Sequence, residues 1–199
     1  MARIFIAIDI PDNCCNIVRD RLAVWRSYRS DSRADIRWVR SDNLHLTLKF
    51  LGDVSEDRLD LVYSASRQTA ASHDAFPLYL SGTGVFPGTD NPRVLWIGIK
   101  GALDALCSLQ GDLDLLLERA GFPTETRPFS PHLTTGRVRS RRRIARFLNT
   151  YLEEPIESAP FDVKEIAIYK SEITGNGPLY HILARYPLGK VVIAAQGLS

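Results

Sequence analysis

Hydrophobic positions recur along this chain with two different periods. In the first ten residues Ile4, Ile6, Ile8 and Ile10 stand at every second position, the spacing of one face of a strand. Pro11 and Asp12 then open a helix. Its apolar positions Cys14, Ile17, Val18, Leu22 and Trp25 follow helical spacing and fade in the polar stretch 27–35. Arg37–Val39 reads as a short strand. In Leu44–Leu51 the residues Leu44, Leu46, Leu48 and Phe50 face one way, and His45, Thr47 and Lys49 the other. Ser55 can cap a helix running to about Ala71, Phe76–Gly84 is a strand, and a Gly/Pro loop fills 84–92. A strand from Arg93 and a helix from about Ala102 to Ala120 come next, the helix stopped by Gly121 and Pro123. Pro131–Val138 is again a strand. Ser140 can cap a helix with Ile144, Phe147, Leu148 and Tyr151 turned inward, and strands at 161–170 and 179–187 complete the series.

The two halves read alike. His45 and His132 lie 87 positions apart, Phe76 and Phe161 lie 85 apart, and Arg3 and Arg93 lie 90 apart. The pattern is that of a duplicated half-chain unit. Two copies are too few for a solenoid, which needs at least about three, so two lobes related by a pseudo-dyad are expected. Several connections are short, which favours antiparallel or mixed sheets with helices outside, an α+β fold.

Composition narrows the class. The 199 residues are 45% hydrophobic and 24% charged, which excludes a disordered or low-complexity chain. No apolar run approaches the ~18 residues of a membrane span, and MARIFIAIDI carries no small-residue cleavage site, so no signal peptide is expected. Cys14, Cys15 and Cys107 form neither a disulfide framework nor a C-x-x-C, which points to a reducing, cytoplasmic setting. The net charge of +2 hides a local bias. Arg137, Arg139, Arg141, Arg142, Arg143 and Arg146 fall within ten residues, the signature of a localised anionic partner.

Two of the four histidines begin the same tripeptide, His45-Leu46-Thr47 and His132-Leu133-Thr134. In a strand each His shares a face with its Thr, and the Leu between them points to the core. A pseudo-dyad would set the two pairs facing each other across a cleft. An imidazole titrates near ~6.5, so one ring can take a proton while the other gives one. Threonine hydroxyls can hold phosphate oxygens, and an arginine can balance transition-state charge. A lone strand histidine is ordinarily structural; the repetition at matched positions is what argues for chemistry. Zinc wants three or four close ligands, and neither motif is an H-x-H or an H-E-x-x-H, so no metal is expected.

With HLTL at 45–48 and HLTT at 132–135, the chain resembles the 2H phosphoesterase superfamily. RIFIAIDI (3–10), RWV…NLHLTLKFLG (37–52), FPG…PRVLWIGI (86–99), RPFSPHLTTGRV (127–138) and YKSEITGNGPLYHIL (169–183) narrow the resemblance to the RNA 2′,3′-cyclic phosphodiesterases, also called 2′-5′ RNA ligase-like proteins. It implies one bilobal 2H phosphoesterase domain over 1–199: two pseudo-symmetric lobes, each an antiparallel sheet backed by helices, with a central active-site groove. It further implies His45 as proton donor, His132 as proton acceptor, and Thr47, Thr134 and Arg137 as phosphate ligands. The substrate would be RNA with a 2′,3′-cyclic phosphate terminus, the product a 2′-phosphomonoester, and the reverse reaction a 2′-5′ ligation. No metal or nucleotide cofactor, no membrane and a monomer are expected. A related activity on a small cyclic nucleotide, such as ADP-ribose 1″,2″-cyclic phosphate, and a binding module for nucleotides or RNA ends without turnover are the alternatives.

Thr135 departs from the family pattern and is expected to point away from the groove. Candidate RNA contacts are Lys49, on the His45 face; Arg93, at a strand start; and Trp96 and Phe129, as stacking rings. Strict alternation makes Phe50 a core residue. The arginines beyond Arg137 read as a track for RNA phosphates or as an exposed helix turn. His73 and His181, with no threonine partner, read as structural or surface residues.

Overall fold

The computed structural model describes residues 1–32, 35–140, 144–175 and 177–189. In chain order the strands are β1 (Ala2–Asp9), β2 (Asp35–Trp38), β3 (His45–Val54), β4 (Phe76–Phe86), β5 (Val94–Gly101), β6 (His132–Ser140), β7 (Phe161–Val163), β8 (Glu165–Thr174) and β9 (Gly177–Pro187). The helices are α1 (Asp12–Ser32), α2 (Leu59–Ala71), α3 (Leu103–Arg119) and α4 (Ile144–Glu153). Helix α1 outlasts its apolar pattern, which ends at Trp25, by nearly two turns. Ser55 precedes a 3₁₀ turn at Glu56–Arg58, not α2 itself. Ser140 closes β6, and the residues between it and α4 lie outside the described ones, so its capping role does too.

All strand pairings are antiparallel, in the order β7-β4-β5-β6-β3-β1-β8-β9, with β2 alongside β6. One lobe is β3-β1-β8-β9 and the other β7-β4-β5-β6 with β2. They join where Leu46 of β3 pairs with Leu133 of β6. Helices α2 and α3 pack together behind the first lobe, α2 lying on β8 and β9. Helices α1 and α4 pack behind the second, with Trp25 against Tyr151 at a centroid distance of 4.5 Å. Of the leucines at helical spacing in α3, Leu106, Leu109, Leu113 and Leu117 are buried while Leu103 and Leu116 are half-buried against the core, and Ile144, Phe147, Leu148 and Tyr151 of α4 are buried as expected.

The lobes are not the sequence halves. Strand β4, from the first half, pairs with β5, and β8, from the second, pairs with β1. The run read as one strand at 161–170 breaks at Lys164, where the chain passes from one lobe to the other: β7 joins β4, and β8 joins β1. Phe76 and Phe161 are therefore not counterparts. They sit on neighbouring strands of one lobe, Phe76 opposite Val163 and Phe161 opposite Leu78. The true counterpart of β4 is β8, since each flanks the first strand of the other half. Because both lobes take strands and helices from both halves, neither half can bury its apolar face alone.

Candidate active site

The single pairing of Leu46 with Leu133 decides what faces the groove. Both leucines are buried, at 1% and 0% exposure. Antiparallel register then sets His45 across from Thr134 and Thr47 across from His132. Four side chains from two distant tripeptides thus form one cluster on the sheet face opposite the core. A cavity of about 220 Å³ opens there, lined by His45, Thr47, Thr134 and Arg137 together with Arg37, Trp38, Val39, Arg40, Asn43, Gly177, Pro178 and Tyr180. His132 is not among its lining residues; it stands at the edge, beside Thr47.

Both rings are oriented in the same way. The Nδ1–H of His45 donates to the Asn43 carbonyl at 2.9 Å, and that of His132 to the Ser130 carbonyl at 2.7 Å. A carbonyl only accepts, so Nδ1 carries the hydrogen and Nε2 is left to exchange protons. Asn43 is itself fixed by its amide, which donates to the Pro178 carbonyl at 2.9 Å.

Their surroundings differ. Phe5 stacks on His45 at 4.7 Å, Tyr180 meets it edge-on at 5.3 Å, and Tyr169 lies 6.3 Å away. His132 has Phe86 against it, edge-on at 5.0 Å. Burial pushes His45 below the ordinary imidazole value, against smaller upward pulls from the Asn43 carbonyl and the Asp9 carboxylate. Asp9 is the register partner of His45. It accepts a hydrogen bond from the Tyr169 hydroxyl and an ion pair from Arg185 at 2.6 Å.

A β-bulge follows the threonine of each motif. Ala7 pairs with Thr47 but Ile6 with Lys49, which leaves Leu48 as an extra residue; Trp96 pairs with Thr134 but Leu95 with Gly136, which leaves Thr135 extra. Each bulge reverses the alternation beyond it. Arg137 therefore returns to the groove face three residues after Thr134, where an unbroken strand would have turned it to the core. Gly136 faces inward in its place, and a Cβ there would lie 3.0 Å from Ile36.

The bulge in β3 corrects two expectations from strict alternation. Lys49 turns inward to 6% exposure, ion-pairs with Asp114 and donates to the Pro123 carbonyl at 2.8 Å, so it does not face the groove. Phe50 turns outward to 51% exposure beneath the Arg3 guanidinium, 5.1 Å from its ring centre, and is no core residue. Thr135 does point away from the groove. It is fully buried and its hydroxyl bonds the Tyr151 hydroxyl at 3.2 Å, which satisfies it.

The remaining candidates lie outside the cavity. Trp96 packs on Phe86 at 5.1 Å and so backs the ring that touches His132. Gly84 makes room for its indole, since a Cβ there would come within 2.1 Å. Phe129 packs against the core, and Arg93 is exposed just before β5. Of the arginine run, Arg137 lines the cavity and Arg139 is exposed on β6, while 141–143 lie outside the described residues. His73 is held by Asp112 at 2.9 Å and His181 by Glu172 at 3.3 Å. Sequence reasoning missed Arg37, Arg40, Asn43 and Tyr180. Arg37 opens the short segment Arg37–Val39, and only the pairing of β2 with β6 of the other half sets it opposite Arg137. Periodicity carries no trace of that pairing.

Among the described residues no group of three His, Cys, Asp or Glu side chains gathers as a metal site, and no described helix is long and apolar enough to cross a membrane.

A family model described as LigT like Phosphoesterase matches the chain twice in succession, at residues 15–96 and 97–180. The RNA 2′,3′-cyclic phosphodiesterase of Methanothermobacter thermautotrophicus is 33% identical over 181 residues, covering 89% of this chain and 94% of that one. A crystal structure from Thermus thermophilus aligns with a TM-score of 0.77 at 26% identity, over 94% of this chain and 99% of that one. Escherichia coli LigT complexed with 3′-AMP aligns with a TM-score of 0.71 at 28% identity, over 94% and 98%.

Proposed function

The chain belongs to the LigT-like phosphoesterases, and from that premise we propose that it hydrolyses the 2′,3′-cyclic phosphate at the end of an RNA, with His45 and His132 as its proton carriers. The observation that carries this reading is the register of Leu46 with Leu133, which brings both His–Thr pairs to one face of the sheet.

The reaction balances with these groups alone. His132 Nε2 takes a proton from water as the water oxygen attacks phosphorus. The bond from phosphorus to O3′ breaks, and His45 Nε2–H protonates the departing oxygen. A 2′-phosphomonoester and a free 3′-hydroxyl result. Thr47 and Thr134 donate to the non-bridging oxygens, and Arg137 with Arg37 offsets the charge that builds on them. With a 5′-hydroxyl in place of water as the attacking group, the same two rings in the same roles leave a 2′-5′ linkage and a free 3′-hydroxyl, and they exchange roles when that linkage is cleaved back to the cyclic phosphate. The curated name of the Methanothermobacter relative and the nucleotide in the LigT crystal support this chemistry.

The test is product identity. Incubated with a 2′,3′-cyclic mononucleotide in EDTA, the protein should yield the 2′-phosphomonoester, followed by phosphorus NMR. His45→Gln and His132→Gln should each lower kcat by about 10²–10⁴-fold while leaving the circular dichroism spectrum unchanged. A 3′-phosphate product, or full activity in either variant, refutes the assignment.

A further inference from the structure

A second cavity, of about 330 Å³, lies between α1 and the 3₁₀ turn Ser41–Asn43. It is lined by Arg19, Leu22, Arg26, Arg40, Ser41 and Asp42. Arg40 lines this cavity and the catalytic one alike. Arg26 reaches the carbonyl of Val39 at 3.5 Å, and Val39 also lines the catalytic cavity. The two spaces are thus neighbours that share a wall made by the chain between β2 and β3.

The charge of that second space is lopsided. Arg19 is held in place by Asn16 at 2.8 Å and Ser41 at 3.3 Å. Arg40 forms a two-pronged pair with Asp42 at 3.0 and 2.6 Å. Three guanidinium groups therefore meet one carboxylate. The ridge continues inward, since Arg37 and Arg137 face each other across β2 and β6. Like charges opposed on a sheet are unfavourable unless an anion sits between them. By contrast, the cavity wall contributed by β9, Gly177, Pro178 and Tyr180, brings no cation.

We propose that Arg19, Arg26 and Arg40 hold the phosphates of the RNA chain immediately 5′ to the terminal nucleotide, which makes an RNA strand, and not a free cyclic nucleotide, the preferred substrate. This rests on the cyclic-phosphodiesterase reading above. A 2′,3′-cyclic phosphate ends its chain, so the polymer can leave the site only on its 5′ side. It leaves past groups that neutralise its next phosphates, and Arg40, shared by the two cavities, leads directly from the catalytic cavity onto such a set of cations in Arg19 and Arg26.

Two measurements on the full chain with an Arg19→Ala/Arg26→Ala double variant decide it. One is turnover of a 2′,3′-cyclic mononucleotide. The other is fluorescence anisotropy of a short 5′-labelled oligoribonucleotide ending in a 2′-phosphate, which reads binding without turnover. Both residues are exposed and outside the catalytic cavity, so mononucleotide turnover should stay within about twofold. Binding of the oligonucleotide should weaken about tenfold at low salt, and its salt slope should fall by about one unit for each lost phosphate contact. Equal binding by the double variant and the unaltered protein overturns the proposal, and so does a parallel loss of mononucleotide turnover. If the unaltered protein fails to open the mononucleotide, the phosphodiesterase reading falls, and anisotropy still decides the path.

Discussion

Leu46 pairs with Leu133 where the two lobes meet, and both side chains are sealed in the core behind the groove. That contact sets the separation of four groove-facing groups. It joins stability to chemistry through one pair of residues.

Leu133→Ala should therefore do two things. Removing a fully buried leucine costs about 2–5 kcal/mol, and in a protein of this size each kcal/mol lowers Tm by about 2–4 °C. The cavity should also let β6 shift against β3, and displacements near 1 Å can cost about 10²-fold in rate. Calorimetry and kcat on a cyclic mononucleotide check both. A lowered Tm with unaltered kcat would show that the pairing supports the fold without aligning the site.

Arg37 and Arg137 are opposed across β2 and β6, and both line the cavity. Held there without an anion they repel, so Arg37→Gln should stabilise the free protein by about 0.2–1 kcal/mol. The same change removes a positive charge from the cavity wall, and under the proposed mechanism kcat/KM should fall about 10–100-fold. Inorganic phosphate should raise the Tm of the unaltered protein more than that of the variant. A variant less stable and fully active would make Arg37 a structural residue.

Lys49 and Asp114 make a prediction of the opposite kind. Lys49 is almost wholly buried and Asp114 partly so, and the pair ties β3 to α3. Lys49→Met should leave the carboxylate uncompensated, at a cost of about 2–4 kcal/mol, seen as a fall in Tm. KM for RNA and its salt dependence should not change. A raised KM at unchanged Tm would return Lys49 to the groove.

How much was legible in the sequence follows from these residues. The two His–Thr tripeptides were readable because strand alternation over three residues is reliable, and their recurrence half a chain apart pointed to a shared centre. The next residues were not, because a bulge after each threonine reverses every later position: Lys49 for Phe50 in one copy, Gly136 for Arg137 in the other. A bulge costs no distinctive residue here, so hydrophobic pattern alone cannot place it. The exchange of β4 and β8 between lobes, and the pairing of β2 with β6, are long-range contacts that leave no local periodicity. Arg37 and Arg40 owe their place in the cavity to that pairing. The difference between the two imidazoles was equally hidden, since identical tripeptides meet different aromatic neighbours.

That difference has a pH signature. Enclosure by Phe5, Tyr169 and Tyr180 lowers His45, while the Asn43 carbonyl and Asp9 pull it partly back. Unfolding releases the ring to its ordinary value near ~6.5. Below that pH the unfolded chain binds more protons than the folded one, so stability is complete above about 6.5 and is lost as pH falls toward the lowered value. In the rate profile, His45 should supply the acidic limb of the bell. Asp9→Asn keeps an acceptor for the Tyr169 hydroxyl but removes the carboxylate charge, so the His45 ring should titrate still lower in NMR and the acidic limb of kcat/KM should move with it. If His45 is the proton donor, the plateau must also fall, because a smaller share of the protein then carries the proton to be given. If His45 were the acceptor, the limb would move and the plateau would not fall for want of that proton. A limb that stays in place while the ring titration shifts would remove His45 from the chemistry altogether.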